Sequence, residues 1–484
     1  MSSLKSLLGQ TAIYGLPTIV GRLLNYFLVP LYTSRFATTD YGVLSELYAF
    51  VTFLIILLPL GMETAFFKFI NEKEDKETVF RNSFLTVLGF SVLFFLVVFF
   101  GSHSIATWIG YPDHREFIIL MAGIVSIDAI TALPMAKLRA DNKAKKFATI
   151  HFTAILVNIG LNLIIVYYLF DPARPMEAIL LILLANLMSS AVKIVGTHQD
   201  FSGLKMKFDK VLAKEMLKYS LPLVIAGLAG MVNETIDRVM MKPLLIGAGH
   251  TKEYALGQVG IYSACYKLAM ILTIFLQAYR YAAEPFFFAQ SKNMDRNKLY
   301  VKIMNYFIAA VCIVFLGVAL NIDFFKHFIR NDEYWAGLNV VPILLIANVF
   351  LGIYLNQSIW YKLSGQTRFG AYIAIGGAMI TIAVNLMFIP TYGFIAAAWA
   401  TLIVYALQMI ASYLLGQKYY PINYNIRKFF LYFGFSLLIF FITIMVNLDP
   451  DIMTVRKFFF HNGLILLLVG LVWTLEKPKK VISV

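Results

Sequence analysis

The sequence predicts an all-α integral membrane protein of about fourteen transmembrane helices. These form two pseudo-symmetric six-helix bundles in parallel repeat, followed by two C-terminal helices. Three observations carry the prediction. Hydrophobic residues make up 60% of the chain and charged residues 14%, with a mean hydropathy of +0.74, well outside the range of ordinary soluble domains. Fourteen stretches reach the roughly 20 mostly apolar residues that a helix needs to cross hydrocarbon, and their runs are continuous rather than alternating, which favours helices over a barrel. The chain also repeats itself, since Leu16-Pro17 returns 205 residues later as Leu221-Pro222.

The first six stretches fall at 10–32, 42–68, 80–101, 115–138, 147–170 and 176–196. Gly15, Pro17 and Gly21 weaken the first, because proline removes a helical hydrogen bond and permits a bend. The next six fall at 215–243, 254–283, 299–321, 338–362, 368–390 and 393–415, with Pro222, Gly227 and Gly230 weakening the first of them. Within this frame Gly42, Ser45 and Tyr48 return as Gly260, Ser263 and Tyr266. Glu63-x-x-Phe66-Phe67 returns as Glu284-x-x-Phe287-Phe288, and Asn162-Leu163-Ile164 as Asn385-Leu386-Met387. Six spans is an even number, so the second half enters the membrane in the orientation of the first, around an axis along the membrane normal and a central cavity. Stretches 428–447 and 457–475 lie outside the duplication. The expected organisation is an N-terminal bundle at 1–196, an amphipathic linker on the membrane surface at 197–214, a second bundle at 215–416, and an appended pair with its tail at 417–484.

Lysines and arginines fix the orientation. Loops on the side of the N-terminus carry 28 of them and the opposite loops 9, so both termini are expected in the cytoplasm. One missed helix would scramble that split. The net charge of +14 is thereby a loop signal, and no nucleic-acid motif accompanies it. Cys265 and Cys312 both fall inside spans and support no disulfide framework. Arg22 at the middle of the first span, and the lack of a small-x-small cleavage site, argue against a signal peptide.

Four cations lie within the spans: Arg22, Arg238, Lys267 and Arg280. A charge at the bilayer centre costs about 2.5–3.5 kcal/mol on insertion scales, so it should face protein or a water-filled cavity. Arg238 has Glu234 four residues before it and Asp237 beside it, and Arg280 has Glu284 four residues after it, so helical ion pairs are available to both. Arg22 and Lys267 have no acidic residue three or four positions away. They are candidates to contact an anionic cargo, or to pair across helices with Asp128. Asp128 is alternatively a proton- or sodium-linked carboxylate. Glu46 is expected near the outer interface, hydrated. Asn25, Asn158, Asn162, Asn233, Gln277, Asn348 and Asn385 either line a sugar-binding cavity or bond between helices, and His151 is expected to pack. Lys267 corresponds to Ala49 in the first half, and Arg22 has no clear cationic mate, so the scaffold repeats while the cations do not.

These residues resemble a family. Gly15-Leu16-Pro17 with Arg22, Asn25 and Pro30, the exit Gly61-Met62-Glu63-Thr64-Ala65-Phe66-Phe67, the turn Pro134-Met135-Ala136-Lys137-Leu138-Arg139-Ala140, and Tyr219-Ser220-Leu221-Pro222 leading into Glu234-Thr235-Ile236-Asp237-Arg238 are similar to the polysaccharide (Wzx-type) flippases of the multidrug/oligosaccharidyl-lipid/polysaccharide exporter superfamily. The resemblance implies a bacterial inner-membrane flippase. It would move polyprenyl-pyrophosphate-linked oligosaccharide, such as an O-antigen or lipopolysaccharide repeat unit, to the outer leaflet by alternating access. It implies no cofactor, coupling to H+ or Na+, and polysaccharide polymerases as partners. Guanidinium binds phosphate bidentately, so Arg22 and Lys267, with Arg238 and Arg280 behind them, are the expected pyrophosphate contacts. Asn25, Asp128, Asn158, Asn162, Glu234 and Asp237 are the expected polar or coupling residues. Three rivals remain: a lipid II flippase, a multidrug antiporter, and a membrane glycosyltransferase or polymerase. The last needs a sizeable outer loop, whereas the longest here, 322–337, has about sixteen residues.

Overall fold

Spans two to fourteen predicted from the sequence each become a helix long and apolar enough to cross a membrane. The computed structural model describes residues 20–21, 23, 26–201, 204, 207–290, 294–446 and 455–477. Among these the fold is all helical. The first stretch, 10–32, lies largely outside the described residues, and its visible end is α1 (Leu28–Thr33). The thirteen spanning helices are α2 (Thr38–Glu72), α3 (Lys76–Trp108), α4 (Arg115–Ala140), α5 (Ala144–Leu169), α6 (Pro175–Phe201), α7 (Lys210–Gly247), α8 (Lys252–Phe288), α9 (Arg296–Ala319), α10 (Val340–Leu363), α11 (Arg368–Tyr392), α12 (Phe394–Tyr419), α13 (Ile426–Val446) and α14 (Lys457–Glu476).

Local chemistry sets several boundaries. Asp75 caps α3, its carboxylate accepting from the Thr78 backbone N–H at 3.0 Å, and Asp209 caps α7 by accepting from Val211 and Leu212, as short acidic side chains do at helix N-termini. Leu60 and Gly61, both with positive φ, interrupt α2 between Leu58 and Gly61. The expected separate surface helix over 197–214 does not form among the described residues. Residues up to Phe201 continue α6, residues 207–209 are non-helical, and Lys210 already belongs to α7. Val211 and Leu212, apolar residues of that stretch, are the first turn of a membrane helix with its own N-cap.

Two compact units divide the chain, Met1–Gly260 and Ile261–Val484. In the first, α3 packs on α4, α4 and α5 pack on α6, and α2 packs along α7. The outward face of α3 carries Leu93, Val97, Phe100 and Trp108. Only 17% of its most apolar window is buried, so this surface suits a lipid solvent. In the second unit α12 lies between α10 and α11, α9 packs on α10, and α13 and α14 pack on α9 and on each other. A charged clasp holds that last pair in place: Lys428 Nζ and the Tyr432 hydroxyl both donate to Glu476, at 2.6 and 2.7 Å, and Lys457 pairs with Asp323.

Polar side chains inside the first unit bond between helices. The Tyr32 hydroxyl donates to Asn162 Oδ1 at 2.6 Å, Asn162 donates to Asn158 Oδ1 at 2.6 Å, Asn158 to Asn186 Oδ1 at 2.7 Å, and Asn186 to the Tyr48 hydroxyl at 2.5 Å. This chain of bonds ties the end of α1 to α5, α6 and α2. Asn158 and Asn162 sit four apart on one face of α5, so one helix supplies two successive links. Replacing the node Asn186 by alanine strands Tyr48 and Asn158 together and is expected to cost about 1–2 kcal/mol. Thermal unfolding in detergent reads this directly, with Asn71→Ala on an exposed position of α2 as the near-neutral control.

Candidate functional site

The most buried charges of the first unit meet where α2, the α3–α4 turn, α7 and the start of α8 converge, at the lysine-poor ends of the helices. Glu46 on α2 and Lys242 on α7 pair at 2.6 Å, with only 2% and 7% of their side chains exposed. The Tyr111 hydroxyl donates to the same carboxylate oxygen at 2.5 Å. Lys242 also donates to the Ile109 carbonyl at 2.7 Å and lies 4.3 Å from the Tyr111 ring centre, where the ring face attracts a cation. Lys252, at the start of α8, donates to the Gly110 carbonyl at 2.7 Å. Gly110 has φ +87°, a conformation open to glycine, and two successive carbonyls thereby serve the two lysines. Burial and the neighbouring carboxylate push the Tyr111 phenol above its ordinary pKa, which keeps it a hydrogen-bond donor.

Glu46 is therefore not hydrated at an interface, as its position in the sequence suggests. Its charge is compensated inside protein by a residue 196 positions away, which is how a buried carboxylate survives.

Beside this pair α2 and α8 cross with almost no separation. A Cβ on Gly42 would stand 2.0 Å from the Leu256 carbonyl oxygen, and one on Gly260 would stand 1.9 Å from that of Thr38. Gly42 and Gly260 are the repeat-related glycines of the sequence, so equivalent positions of the duplication meet, backbone to backbone.

The expected cargo and coupling residues are distributed as follows. Arg22 and Asn25 lie outside the described residues. Asp128 on α4 accepts from Lys193 on α6 at 2.8 Å. Lys193 lies at the end of the sixth predicted stretch, 176–196, and α6 continues past it to Phe201. His151 stacks on Phe147 at 5.8 Å between centroids, and the His151 ring and Ile155 lie beside Gly21 of the first span. Asn158 and Asn162 belong to the chain of amides above. The Arg238 guanidinium lies 3.6 Å from the Asp237 carboxylate and donates to the Glu234 backbone carbonyl at 3.1 Å. In the second unit Lys267 is half-buried on α8. Arg280 takes the expected helical pair with Glu284 at 3.6 Å, and Lys362 on α10 donates to the same Glu284 oxygen at 2.5 Å. The structure thus groups Arg238 with Asp237 and Glu234, and Asn158 with Asn162, and leaves Asp128 in a separate pair.

Residues 7–291, more than half of the chain, match the family described as polysaccharide biosynthesis protein. The chain belongs to that family. Its fold is shared with two kinds of solved membrane protein. This family member superposes on a lipid II flippase, MurJ, in an inward closed conformation with a TM-score of 0.75, at 14% identity and over 95% of this chain and 98% of that one. An inward-facing multidrug resistance MATE family transporter of the MOP superfamily matches with a TM-score of 0.65, at 14% identity, over 84% and 97%. Among curated proteins, the uncharacterized membrane protein MJ1375 of Methanocaldococcus jannaschii is 23% identical over 392 residues, 76% of this chain and 87% of that protein. A second uncharacterized membrane protein of that organism, MJ1068, is 20% identical over 422 residues, 80% and 81%. A polysaccharide biosynthesis family member with thirteen described helices long and apolar enough to cross a membrane is a multi-pass membrane protein.

Proposed function

We propose that this protein is a flippase that carries a polyprenyl-pyrophosphate-linked oligosaccharide between membrane leaflets by alternating access, and that it is not an enzyme. The observation that carries the reading is the combination, in one chain, of a polysaccharide biosynthesis family match with a likeness to a lipid II flippase that spans 95% of its length. The multidrug transporter covers less, 84%. The lysine-rich side is the cytoplasmic one in this reading, both termini lie there, and the membrane is the inner membrane of a bacterium. Arg22 and Lys267 meet the pyrophosphate, with Arg238 and Arg280 as further cations. A gradient of H+ or Na+ drives the cycle, and a polysaccharide polymerase uses the cargo once it reaches the outer leaflet.

The test is complementation of a strain lacking its polysaccharide flippase. The wild-type chain is expected to restore surface glycan, and Arg22→Ala and Lys267→Ala each to lower export at least about tenfold at equal expression, the effect of losing one charge-assisted phosphate contact. Full export by both variants would sink the cationic assignment. Rescue of peptidoglycan synthesis in place of surface glycan would reassign the cargo to lipid II.

A further inference from the structure

The repeated Glu-x-x-Phe-Phe motif has a structural partner in each half, and the two halves differ there in charge. In the first unit Glu63, near the end of α2, pairs with Arg139 at the end of α4. The guanidinium also lies 5.0 Å from the ring of Phe67, a residue of the motif. In the second unit Glu284, near the end of α8, pairs with Lys362 at the end of α10 at 2.5 Å. Each motif glutamate thus clamps the exit of its helix to the exit of the helix two further on, both on the lysine-rich side. The first clamp has one carboxylate and one cation, and is neutral.

The second carries an extra cation. Arg280 lies 3.6 Å from the same Glu284 oxygen, and its counterpart in the first half, by the register that aligns Glu284 with Glu63, is Pro59. Two cations share one carboxylate, which leaves a surplus positive charge. These three residues line an internal space of about 20 Å³ together with Tyr279, Asn356 and Ser358, enough for about one water. The Asn356 amide donates to the Tyr279 hydroxyl at 2.6 Å. The Arg280 side chain is 54% exposed.

We propose that Arg280 and Lys362 form a phosphate-binding pair of the second half, with Glu284 as the resident counter-ion that an incoming phosphate displaces. The ligand is a phosphate ester or pyrophosphate. Its assignment to the lipid-linked cargo rests on the flippase reading above. A carboxylate that holds two cations in place keeps their geometry in the empty state, and it competes with any anion that binds them. Removing it should therefore tighten anion binding, whereas removing either cation should weaken it. A purely structural clamp makes no such opposite prediction. Glu63, with its single cation, is the internal control.

The experiment titrates the purified full-length protein in nanodiscs of zwitterionic lipid with inorganic pyrophosphate, then with farnesyl pyrophosphate. Glu284→Gln is expected to bind about threefold to tenfold more tightly, and Arg280→Gln and Lys362→Gln at least about tenfold more weakly, the scale of a single hydrogen bond to a charged group. Glu63→Gln should leave affinity unchanged. Weaker or equal binding by Glu284→Gln would overturn the proposal, as would unaltered binding by both cation variants. Thermal unfolding of each variant identifies any loss of fold, and Arg280→Lys, which keeps the charge, should retain most of the affinity. Phosphatidylglycerol in the nanodisc distinguishes the sources: competition by it assigns the site to bulk lipid headgroups and overturns the cargo assignment, and lack of competition supports the cargo. Because pyrophosphate binding needs no export assay, binding that persists while export fails counts against the flippase reading and not against the site.

Discussion

Lys242→Met is expected to destabilise the protein by about 3–5 kcal/mol. The substitution leaves the Glu46 carboxylate with 2% of its side chain exposed and no opposing charge, and breaking a buried ion pair from one side carries a penalty of that size. The Tyr111 hydroxyl would remain as a donor, which reduces the loss without removing it. The double variant Glu46→Leu with Lys242→Met should recover most of the stability, since replacing both members of a buried pair by apolar side chains is often neutral or better. Thermal unfolding of the three proteins in one detergent, read by size exclusion, measures the cycle. A single variant as stable as the parent would show that water reaches the pair, and a double variant as weak as the single would show that the stabilisation lies in packing rather than charge.

Gly260→Ala carries the second large effect, and its sign is the informative part. In an unencumbered transmembrane helix, alanine for glycine gains up to about 1 kcal/mol of helix propensity. At Gly260 the new methyl would lie 1.9 Å from the Thr38 carbonyl oxygen. The neighbour is backbone, which has no rotamer to move away, so α2 and α8 must separate. The expected net loss is about 1–3 kcal/mol, and Gly42→Ala should behave alike because its Cβ meets the Leu256 carbonyl at 2.0 Å. Gly376→Ala in α11 provides the contrast. Nothing lies within 4 Å of a Cβ there, so that variant should be neutral or stabilised. Equal outcomes at Gly260 and Gly376 would mean that the close crossing is not part of the folded protein in solution.

The sequence disclosed the helices because a hydrocarbon solvent requires long apolar runs with internal hydrogen bonds, and spans two to fourteen match the structure closely. It disclosed the duplication as well, through Gly42 and Gly260 among others, but not that these glycines mark a backbone contact. Spacing within a helix shows which residues share a face and says nothing of what faces them. The same limit explains the charges. Arg280 and Glu284 are four apart and legible as a pair, whereas Glu46 with Lys242, Asp128 with Lys193, and Glu284 with Lys362 join residues far apart in the chain. A boundary effect hides Lys193 and Lys242, since each falls at the very end of its predicted stretch, where a cation reads as a loop residue, while the helices run on to Phe201 and Gly247. Asn158 and Asn162 are visible as a polar stripe. Asn186, which joins them to Tyr48, has no signal of its own among the many apolar neighbours of α6.

The Gly42–Gly260 crossing has a mechanical consequence. Interlocked side chains resist rotation, because every knob must leave its hole, but two bare backbones can roll on one another and stay touching. The crossing sits near the start of α8. It thus gives α2 and α8 a contact that can turn without unpacking a single side chain.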